Sequence, residues 1–440
     1  MDKATLYASC ARLAQGASGL AAMGAAAAVL SPAKLGVFFT ISSLMQIQAS
    51  AELGMSVVLV QVASHESAAY AGNFAADLPA GHAATARIGS LLRLSTAWTA
   101  LASALFLVVL MPVGWWFFRD TPQLHVHAQS PWALAVAATA LGLVWIPVLA
   151  VFEGCGAIVG AWRIRCWQQL LGGLTLPVAL VAGCGMWSLG ISGLVSSLVT
   201  VIGITAQGGR FARLWRERSA GPPIDWWRDV WPFQWKVSLS YLSGIFIFYF
   251  AVPSVYRICG AVEAGRFGLS STAFRAVSAI AISNVTSKAQ ILGSLIASGK
   301  RADLDSRFNA AFRRSMLIGL LGMVAVVAGF QLIPAFWPQW GGKVLAIAPL
   351  LVLAVAMMCQ HATNCIATYL RAHREEPLLI PSILGAGVLG LGFPIAAHLG
   401  GVLAVTICFL ATTSILGTGV AVLLMRRKRR SFPGNASLSG

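Results

Sequence analysis

About twelve long apolar stretches follow one another along this chain of 440 residues. A helix that crosses a bilayer needs about 20 predominantly apolar residues. The stretches that we predict to span a membrane are 13–31, 35–61, 90–112, 131–152, 166–187, 188–209, 236–254, 264–291, 315–334, 344–367, 378–397 and 401–425. Only 10% of the residues are charged, against roughly 25% in soluble domains. The sequence therefore predicts an all-α integral membrane protein with about 12 transmembrane helices.

The basic residues sort into alternate gaps between these stretches. Of the 31 Lys and Arg residues, 24 lie in gaps on one side and 5 in gaps on the other. Loops that face the cytoplasm collect Lys and Arg, so both chain termini, which lie on the basic side, are predicted to be cytoplasmic. The same rule accounts for the formal net charge of +17, and no nucleic-acid partner is predicted. The two basic residues left over are Arg275 and Lys288, both inside one apolar stretch.

The longest basic gap divides the chain into two halves. We predict an N-terminal six-helix lobe (1–209), a cytoplasmic inter-lobe linker (210–236), a C-terminal six-helix lobe (237–425) and a basic cytoplasmic tail (426–440). The linker is rich in Trp beside basic residues, which predicts a segment in the lipid headgroup layer. A shift of 229 residues pairs Gly36 with Gly265 and Gln46 with Arg275. Many transporters consist of such repeated halves with the substrate site between them.

Arg275 is the strongest candidate for a binding residue. It lies ten residues beyond Gly265, a helical rise of about 15 Å that places it near the middle of a bilayer. A charge kept at that depth is costly and marks a functional site by default. Arg can hold a phosphate with two parallel donors, so we predict an anion-binding residue in a central cavity. The alternative is a packing element tied to backbone carbonyls. Asn284 and Lys288 extend the polar stretch, although Lys288 could instead snorkel to the inner headgroups.

The N-terminal half supplies further candidates. Gln46, which the shift of 229 residues pairs with Arg275, is a further candidate for binding substrate in the cavity. Glu52 lies shortly after it, well inside an apolar stretch. Burial favours the protonated form of a carboxyl group, so Glu52 is the candidate for carrying a coupling ion; the alternative is a paired structural acid. Arg12 opens the first stretch, either in a vestibule or as an interfacial anchor. In the tenth stretch His361 and Asn364 lie one turn apart and could face a cavity or pack inside the protein.

Motifs for catalysis are missing from the sequence. It contains no hydrolase nucleophile elbow, phosphate-binding loop or HExxH pair, and no gap is long enough for a soluble catalytic domain. We therefore predict a protein that is not an enzyme and has no catalytic residues. The eight cysteines form no CxxC pair, so no metal site is predicted. No cofactor is expected beyond an ion gradient of H⁺ or Na⁺.

Three segments resemble bacterial polysaccharide-export flippases. The segments 30–38 (LSPAKLGVF) and 52–56 (ELGMS) are similar to the opening of those proteins, and 263–275 (EAGRFGLSSTAFR) is similar to their eighth span. The family belongs to the multidrug/oligosaccharidyl-lipid/polysaccharide (MOP) exporter superfamily. This chain departs from the family in having Lys288 and Ala289 where a Pro often ends the eighth span, and in lacking the Asp that often opens the seventh.

The resemblance implies a MATE-like arrangement of two six-helix lobes around a cationic cavity. It also implies alternating access that moves lipid-linked (polyprenyl-pyrophosphate) oligosaccharide or polysaccharide repeat units across the bacterial cytoplasmic (inner) membrane, for cell-surface polysaccharide biosynthesis. Its implied partners are the lipid bilayer, the lipid-linked oligosaccharide, a polysaccharide polymerase and glycosyltransferases. Carried over by position, Arg275 would contact the pyrophosphate, with Arg12 second. The alternatives are a cation-coupled drug or metabolite exporter of the same superfamily and a membrane glycosyltransferase or polymerase.

Overall fold

The computed structural model describes residues 3–48, 52, 54–68, 70, 82–119, 128–207, 209–216, 223–373 and 377–431, and regular structure in these ranges is helical throughout. The α-helices, numbered in chain order, are α1 (Lys3–Val29), α2 (Pro32–Met45), α3 (Met55–Ala68), α4 (Ala83–Phe117), α5 (Gln129–Leu143), α6 (Ile146–Gly154), α7 (Ile158–Trp167), α8 (Gly173–Val181), α9 (Trp187–Thr205), α10 (Arg210–Arg216), α11 (Trp231–Phe248), α12 (Ala251–Cys259), α13 (Ala261–Thr286), α14 (Ala289–Ala297), α15 (Arg301–Phe336), α16 (Ile347–Ala372), α17 (Leu379–Thr412) and α18 (Val420–Ser431). Short π-helices cover Gln168–Gly172, Trp226–Val230 and Thr413–Gly419, and a 3₁₀ turn covers Pro338–Trp340.

The chain forms two compact units, Met1–Ile245 and Phe246–Gly440, whose boundary falls inside α11. In the first unit α9 packs on α5, α1 packs on α7 and α8, and α3 packs on α6. In the second unit α13 packs on α15 and α16, and α17 packs on α12 and α16. Each unit has its own apolar core, around Leu59 and Leu91 in the first and around Phe308 in the second. The predicted lobes, linker and tail stay predictions.

The predicted spans fall on helical parts of the chain. Each of the twelve predicted stretches overlaps at least one described helix. By length and composition, the described segments that can cross a membrane are Ala83–Phe117, Gln129–Gly154, Trp187–Thr205, Arg301–Phe336, Ile347–Ala372 and Leu379–Arg430, together with the pair Leu242–Phe248 and Ala251–Cys259, which is bent by 45°. Leu379–Arg430 holds two predicted spans, and Gly401 at φ +59° and ψ −150° breaks the helix where the second of them begins.

Small polar residues of α4 lie inside the helix packing, and one apolar stripe of the same helix faces outward. On α4, Ser95 and Thr99 are at most 1% exposed, whereas Leu101 and Val108 are 64% and 71% exposed. Small hydroxyl residues let membrane helices approach closely and bond across the interface, as Ser103 does by donating to the Ala140 carbonyl at 2.7 Å. An exposed apolar stripe of this kind needs lipid as its solvent, which fits a membrane protein.

Breaks interrupt several of the predicted spans. The stretch 35–61 is helical as α2 and α3, with Gly54 at φ +64° between them. A positive φ costs an ordinary residue energy and glycine almost none, so the sequence permits a break there. The stretch 264–291 ends as a helix at Thr286, and Lys288 precedes the separate helix α14. Lys288 therefore lies at a helix junction and not inside a continuous span.

The Trp-rich segment after residue 222 is partly packed within the first unit. The Trp226 ring stacks on Trp98 with centroids 6.4 Å apart, and the buried Ile224 backbone donates to Ser90 Oγ at 3.0 Å. Trp227, in contrast, is 69% exposed. The predicted place in the headgroup layer therefore suits Trp227, while Trp226 is part of the protein packing.

Candidate functional site

Arg275 lies where the helix α11 ends and the chain bends into α12. Its Nη1 donates to the Phe248 carbonyl at 2.9 Å, and its Nη2 donates to Thr272 Oγ1 at 3.0 Å. The guanidinium carbon also lies 5.2 Å from the Tyr249 ring centroid. Phe248 is the last residue of α11. Arg275 thus binds a carbonyl at the broken end of a helix and rests on an aromatic ring beside it.

The bend explains why a cation belongs there. The last four carbonyls of a helix have no partner within it, and the negative end of the helix dipole lies beside them. In hydrocarbon no water can satisfy such groups, so each unpaired carbonyl is expensive. A guanidinium carries five N–H donors, of which the contacts with Phe248 and Thr272 use two. Arg275 can therefore stabilise the bend and still offer donors to another acceptor.

The other polar candidates of this helix do not converge on Arg275. Asn284 Nδ2 donates to the Ala281 carbonyl of its own helix at 3.2 Å. Lys288 is half-buried at the junction before α14. The structure therefore places them in the same unit as Arg275 and gives no contact of either with it. Their predicted roles stay predictions.

In the first unit Glu52 lines a polar cavity of about 150 Å³. Its Oε1 accepts hydrogen bonds from the Ser56 hydroxyl and from the Ser56 backbone amide, the latter at 3.3 Å. The same cavity is lined by Arg165, Gln168 and Thr200. Membrane interiors tolerate such a set of groups where they line water or pair with one another. Glu52 thus lies where an ion or water can reach a carboxylate.

Arg165, which the sequence did not mark as a candidate, is the basic residue that lines this cavity. Its Nη1 bonds to Glu153 Oε2, and its guanidinium carbon lies 5.0 Å from the Trp162 ring centroid. Trp162 Nε1 donates to Glu153 Oε1 at 3.2 Å. The first unit therefore holds two acids, Glu52 and Glu153, near one guanidinium. Spacing did not reveal this cluster, since its members come from three separated parts of the chain.

The remaining candidates of the first unit lie apart from this cavity lining. Arg12 is exposed on α1, and Gln46 is the half-buried residue that ends α2. Arg12 lies well inside α1, which begins at Lys3, and an exposed Arg at this position suits an interfacial anchor, the alternative already open for it.

The polar stretch of α16 is buried in the second unit. Gln360 Nε2 donates to Asn364 Oδ1 at 3.2 Å, and Thr363 Oγ1 lies 3.2 Å from Thr418 Oγ1 of the neighbouring π-helix. His361 is 1% exposed and contacts Ser315 of α15. The sequence indicated His361 and Asn364 but not Ser315, because a single Ser in an apolar stretch carries no distinguishing pattern. Among the described residues, no group of three or more His, Cys, Asp or Glu could hold a metal ion.

No protein-family model and no curated protein matches the chain. Solved structures do. The chain aligns with an inward-facing multidrug resistance MATE family transporter of the MOP superfamily at 16% identity and a TM-score of 0.67, over 95% of both chains. For the MATE multidrug transporter DinF-BH the values are 13% and 0.59, over 97% of this chain and 95% of that one. For a MOP superfamily transporter from Pyrococcus furiosus, described as having a binding pocket of reverse polarity, they are 15% and 0.54, over 98% and 95%.

Structural similarity at 13–16% sequence identity establishes the fold of the chain. The chain has the helical fold of MOP superfamily transporters, which confirms the predicted fold class.

Proposed function

We propose that this protein translocates polyprenyl-pyrophosphate-linked oligosaccharides or polysaccharide repeat units across a bacterial cytoplasmic membrane by alternating access. The fold supports a transporter, since the similar solved structures are transporters. The proposed partners are the lipid-linked oligosaccharide, the bilayer and the enzymes that build and polymerise the glycan. Both termini would face the cytoplasm, in line with the charge sorting.

The observation that carries the proposal is the environment of Arg275. A permanent cation is held in the apolar second unit by a carbonyl, a hydroxyl and a ring, and no acidic partner contacts it among the described residues. The present bond to the Phe248 carbonyl carries a charge on the donor alone, whereas a bond from the guanidinium to a phosphate is charged on both sides and can be bidentate. A pyrophosphate oxygen would therefore compete successfully with the neutral Phe248 carbonyl. The cation then serves as the handle for an anionic substrate.

The rest of the substrate fits a transporter of this kind. A sugar hydroxyl that enters hydrocarbon unpaired costs several kcal/mol, on the order of 4–8 in an alkane, so a glycan needs a polar route. The polyprenyl chain, in contrast, is soluble in the bilayer. We propose Glu52 as the group that carries the coupling ion, H⁺ or Na⁺, because it lines the cavity of about 150 Å³ in the first unit.

The test removes the Arg275 side chain and leaves the rest of the protein unchanged. In a strain that lacks the gene, Arg275→Ala should abolish surface polysaccharide, and Arg275→Lys should restore part of it, because Lys keeps the charge but loses the two-donor geometry. Arg266→Ala on the same helix is the matched control and should export normally, since Arg266 pairs with Glu263 at 2.6 Å. Normal export by Arg275→Ala at normal expression would refute the anion-handle role.

Binding measurements distinguish recognition of the pyrophosphate headgroup from recognition of the polyprenyl tail. The wild-type protein in nanodiscs should bind a polyprenyl pyrophosphate more tightly than the matching polyprenol. Loss of two charged hydrogen bonds at about 1.5–3 kcal/mol each should weaken pyrophosphate binding by Arg275→Ala at least roughly 100-fold and leave polyprenol binding unchanged. Equal affinities of the wild type for both lipids would contradict a pyrophosphate site.

A cation-coupled multidrug exporter is the second candidate, favoured by the multidrug transporters among the similar structures. Such an exporter should show efflux of cationic dyes that depends on Glu52 and persists in Arg275→Ala. A lipid-linked oligosaccharide flippase should show no dye efflux. The two candidates thus give opposite results in one assay.

A further inference from the structure

Three helices of the second unit meet at one serine hydroxyl. Ser315 of α15 is fully buried, and its Oγ lies 2.8 Å from the Ala281 carbonyl of α13. The same Oγ lies 3.0 Å from His361 Nε2 and 3.5 Å from Cys365 Sγ, both on α16. A Cβ added at Gly319, one turn along α15, would lie 3.3 Å from His361 Cδ2, so α15 fits closely against the ring.

The hydrogen-bond network assigns the protons of this cluster. A carbonyl only accepts, so the contact with Ala281 uses the single hydroxyl proton of Ser315. Ser315 Oγ is then left with lone pairs towards His361, and on that basis we assign the ring proton to Nε2. A neutral imidazole carries one ring proton, so Nδ1 holds a lone pair. That Nδ1 is buried and has no hydrogen-bond partner among the described residues.

An unsatisfied buried acceptor calls for an explanation, because most buried polar groups are paired. The titratable group in contact with His361 is the Cys365 thiol, whose Sγ lies 3.7 Å from Nε2. Charged groups on the helices packed against α16 are exposed or bonded elsewhere: Arg313, Arg314 and His398 are exposed, Arg275 bonds Phe248, Glu263 bonds Arg266, and Asp305 bonds Arg429. If Nδ1 were protonated, the packed cluster would offer its N–H neither an acceptor nor a counter-charge.

We propose that His361 is a proton-binding site in the second unit, neutral while α13, α15 and α16 are packed and protonated at Nδ1 when these helices part. A water-borne proton adds to the Nδ1 lone pair and gives an imidazolium with two N–H donors. Repacking requires that proton to leave, because the closed cluster has no acceptor for a second donor. Proton uptake and release are thereby tied to separation and closure of the three helices. The inference rests on the proposed function only in assigning that proton to a transport cycle.

The tautomer and the titration can be measured directly. The full-length protein, labelled with ¹⁵N at its seven histidines, is examined by NMR in lipid bilayers, and His361→Gln identifies the signal. We expect a neutral Nε2–H ring near pH 8 that gains a proton at Nδ1 as the pH falls towards about 5. An Nδ1–H tautomer, a ring already charged near pH 8, or a ring that stays neutral across this range would overturn the proposal.

Hydrogen exchange tests the link to helix separation. Opening that takes up one proton grows by up to about tenfold for each unit fall in pH. The measured exchange rate of each amide is divided by its intrinsic rate at the same pH. For the amides of 315–323 this ratio, which reports how often the helices open, should therefore rise as the pH falls in the wild type. His361→Gln should remove this pH dependence, and the exposed His398→Gln should keep it. Ser315→Ala should open more at every pH yet keep the pH dependence. An unchanged pH dependence in His361→Gln would refute the link.

The two proposals fail separately. Neither measurement needs a substrate, so a titrating His361 stands even if Arg275→Ala exports polysaccharide normally. Conversely, export that depends on Arg275 together with a silent His361 would leave the proposed function and remove the proton site.

Discussion

Gly114→Ala should destabilise the first unit through one contact. A Cβ at position 114 would lie 1.9 Å from Trp132 Nε1 and 2.1 Å from Trp132 Cε2, where carbon atoms normally stay about 3.5–4.0 Å apart. Trp132 is 1% exposed, and its Nε1 donates to the Leu110 carbonyl at 2.9 Å. The ring must therefore move and lose this bond. Overpacking costs about 1–3 kcal/mol and an unpaired buried donor about 1–3 kcal/mol, so we expect roughly 2–6 kcal/mol in all.

The assay is thermal unfolding of the purified protein in detergent, where such a loss corresponds to a fall in Tm on the order of 10 °C. Gly24→Ala is the matched control in the same unit, because a Cβ there meets nothing within 4 Å. Removing the indole should relieve the clash, so Gly114→Ala should cost less in a Trp132→Phe background. Additive losses, or a Gly114→Ala protein as stable as Gly24→Ala, would refute the reasoning.

Two further predictions concern an ion pair of the first unit and the membrane topology. Arg87 donates two hydrogen bonds to Glu66, of 2.7 and 2.9 Å. Arg87→Lys should therefore lower the free energy of unfolding by about 1–2 kcal/mol, whereas Arg228→Lys should leave it unchanged, because the Arg228 side chain is 88% exposed. Equal melting curves for Arg87→Lys and the wild type would contradict this. A reporter enzyme fused after Arg218, which lies outside the described residues, should read cytoplasmic, and an external signal would overturn the twelve-span topology.

The sequence predicted the features of the fold that follow from the properties of individual residues. Apolar length alone located the helices, because a bilayer imposes about 20 residues on each span. The spans predicted at 378–397 and 401–425 leave a short gap between them, and the structure breaks α17 at Gly400 and Gly401. The break between α2 and α3 was missed, since the apolar stretch continues across it and Gly54 by itself is weak evidence.

The candidate site was predicted in its members and not in its contacts. Arg275 and Glu52 stood out because an ionisable residue in an apolar stretch is unusual. The residues that contact them did not stand out. Phe248 offers only a backbone carbonyl, and Ser56 and Arg165 look ordinary in the sequence. A hydrogen bond is a relation between two positions, and 27 residues separate Arg275 from Phe248.

Composition, apolar length and charge sorting thus determined by themselves that this protein is an all-helical membrane protein, since each records how single residues partition between water and lipid. The tertiary structure decided what the polar residues inside those helices do. It set Arg275 at the bend after Phe248, Glu52 on a cavity, and His361 against Ser315 with a bare Nδ1. The physical reason is that a buried polar group takes its role from its hydrogen-bond partners, which only folding brings within about 3 Å.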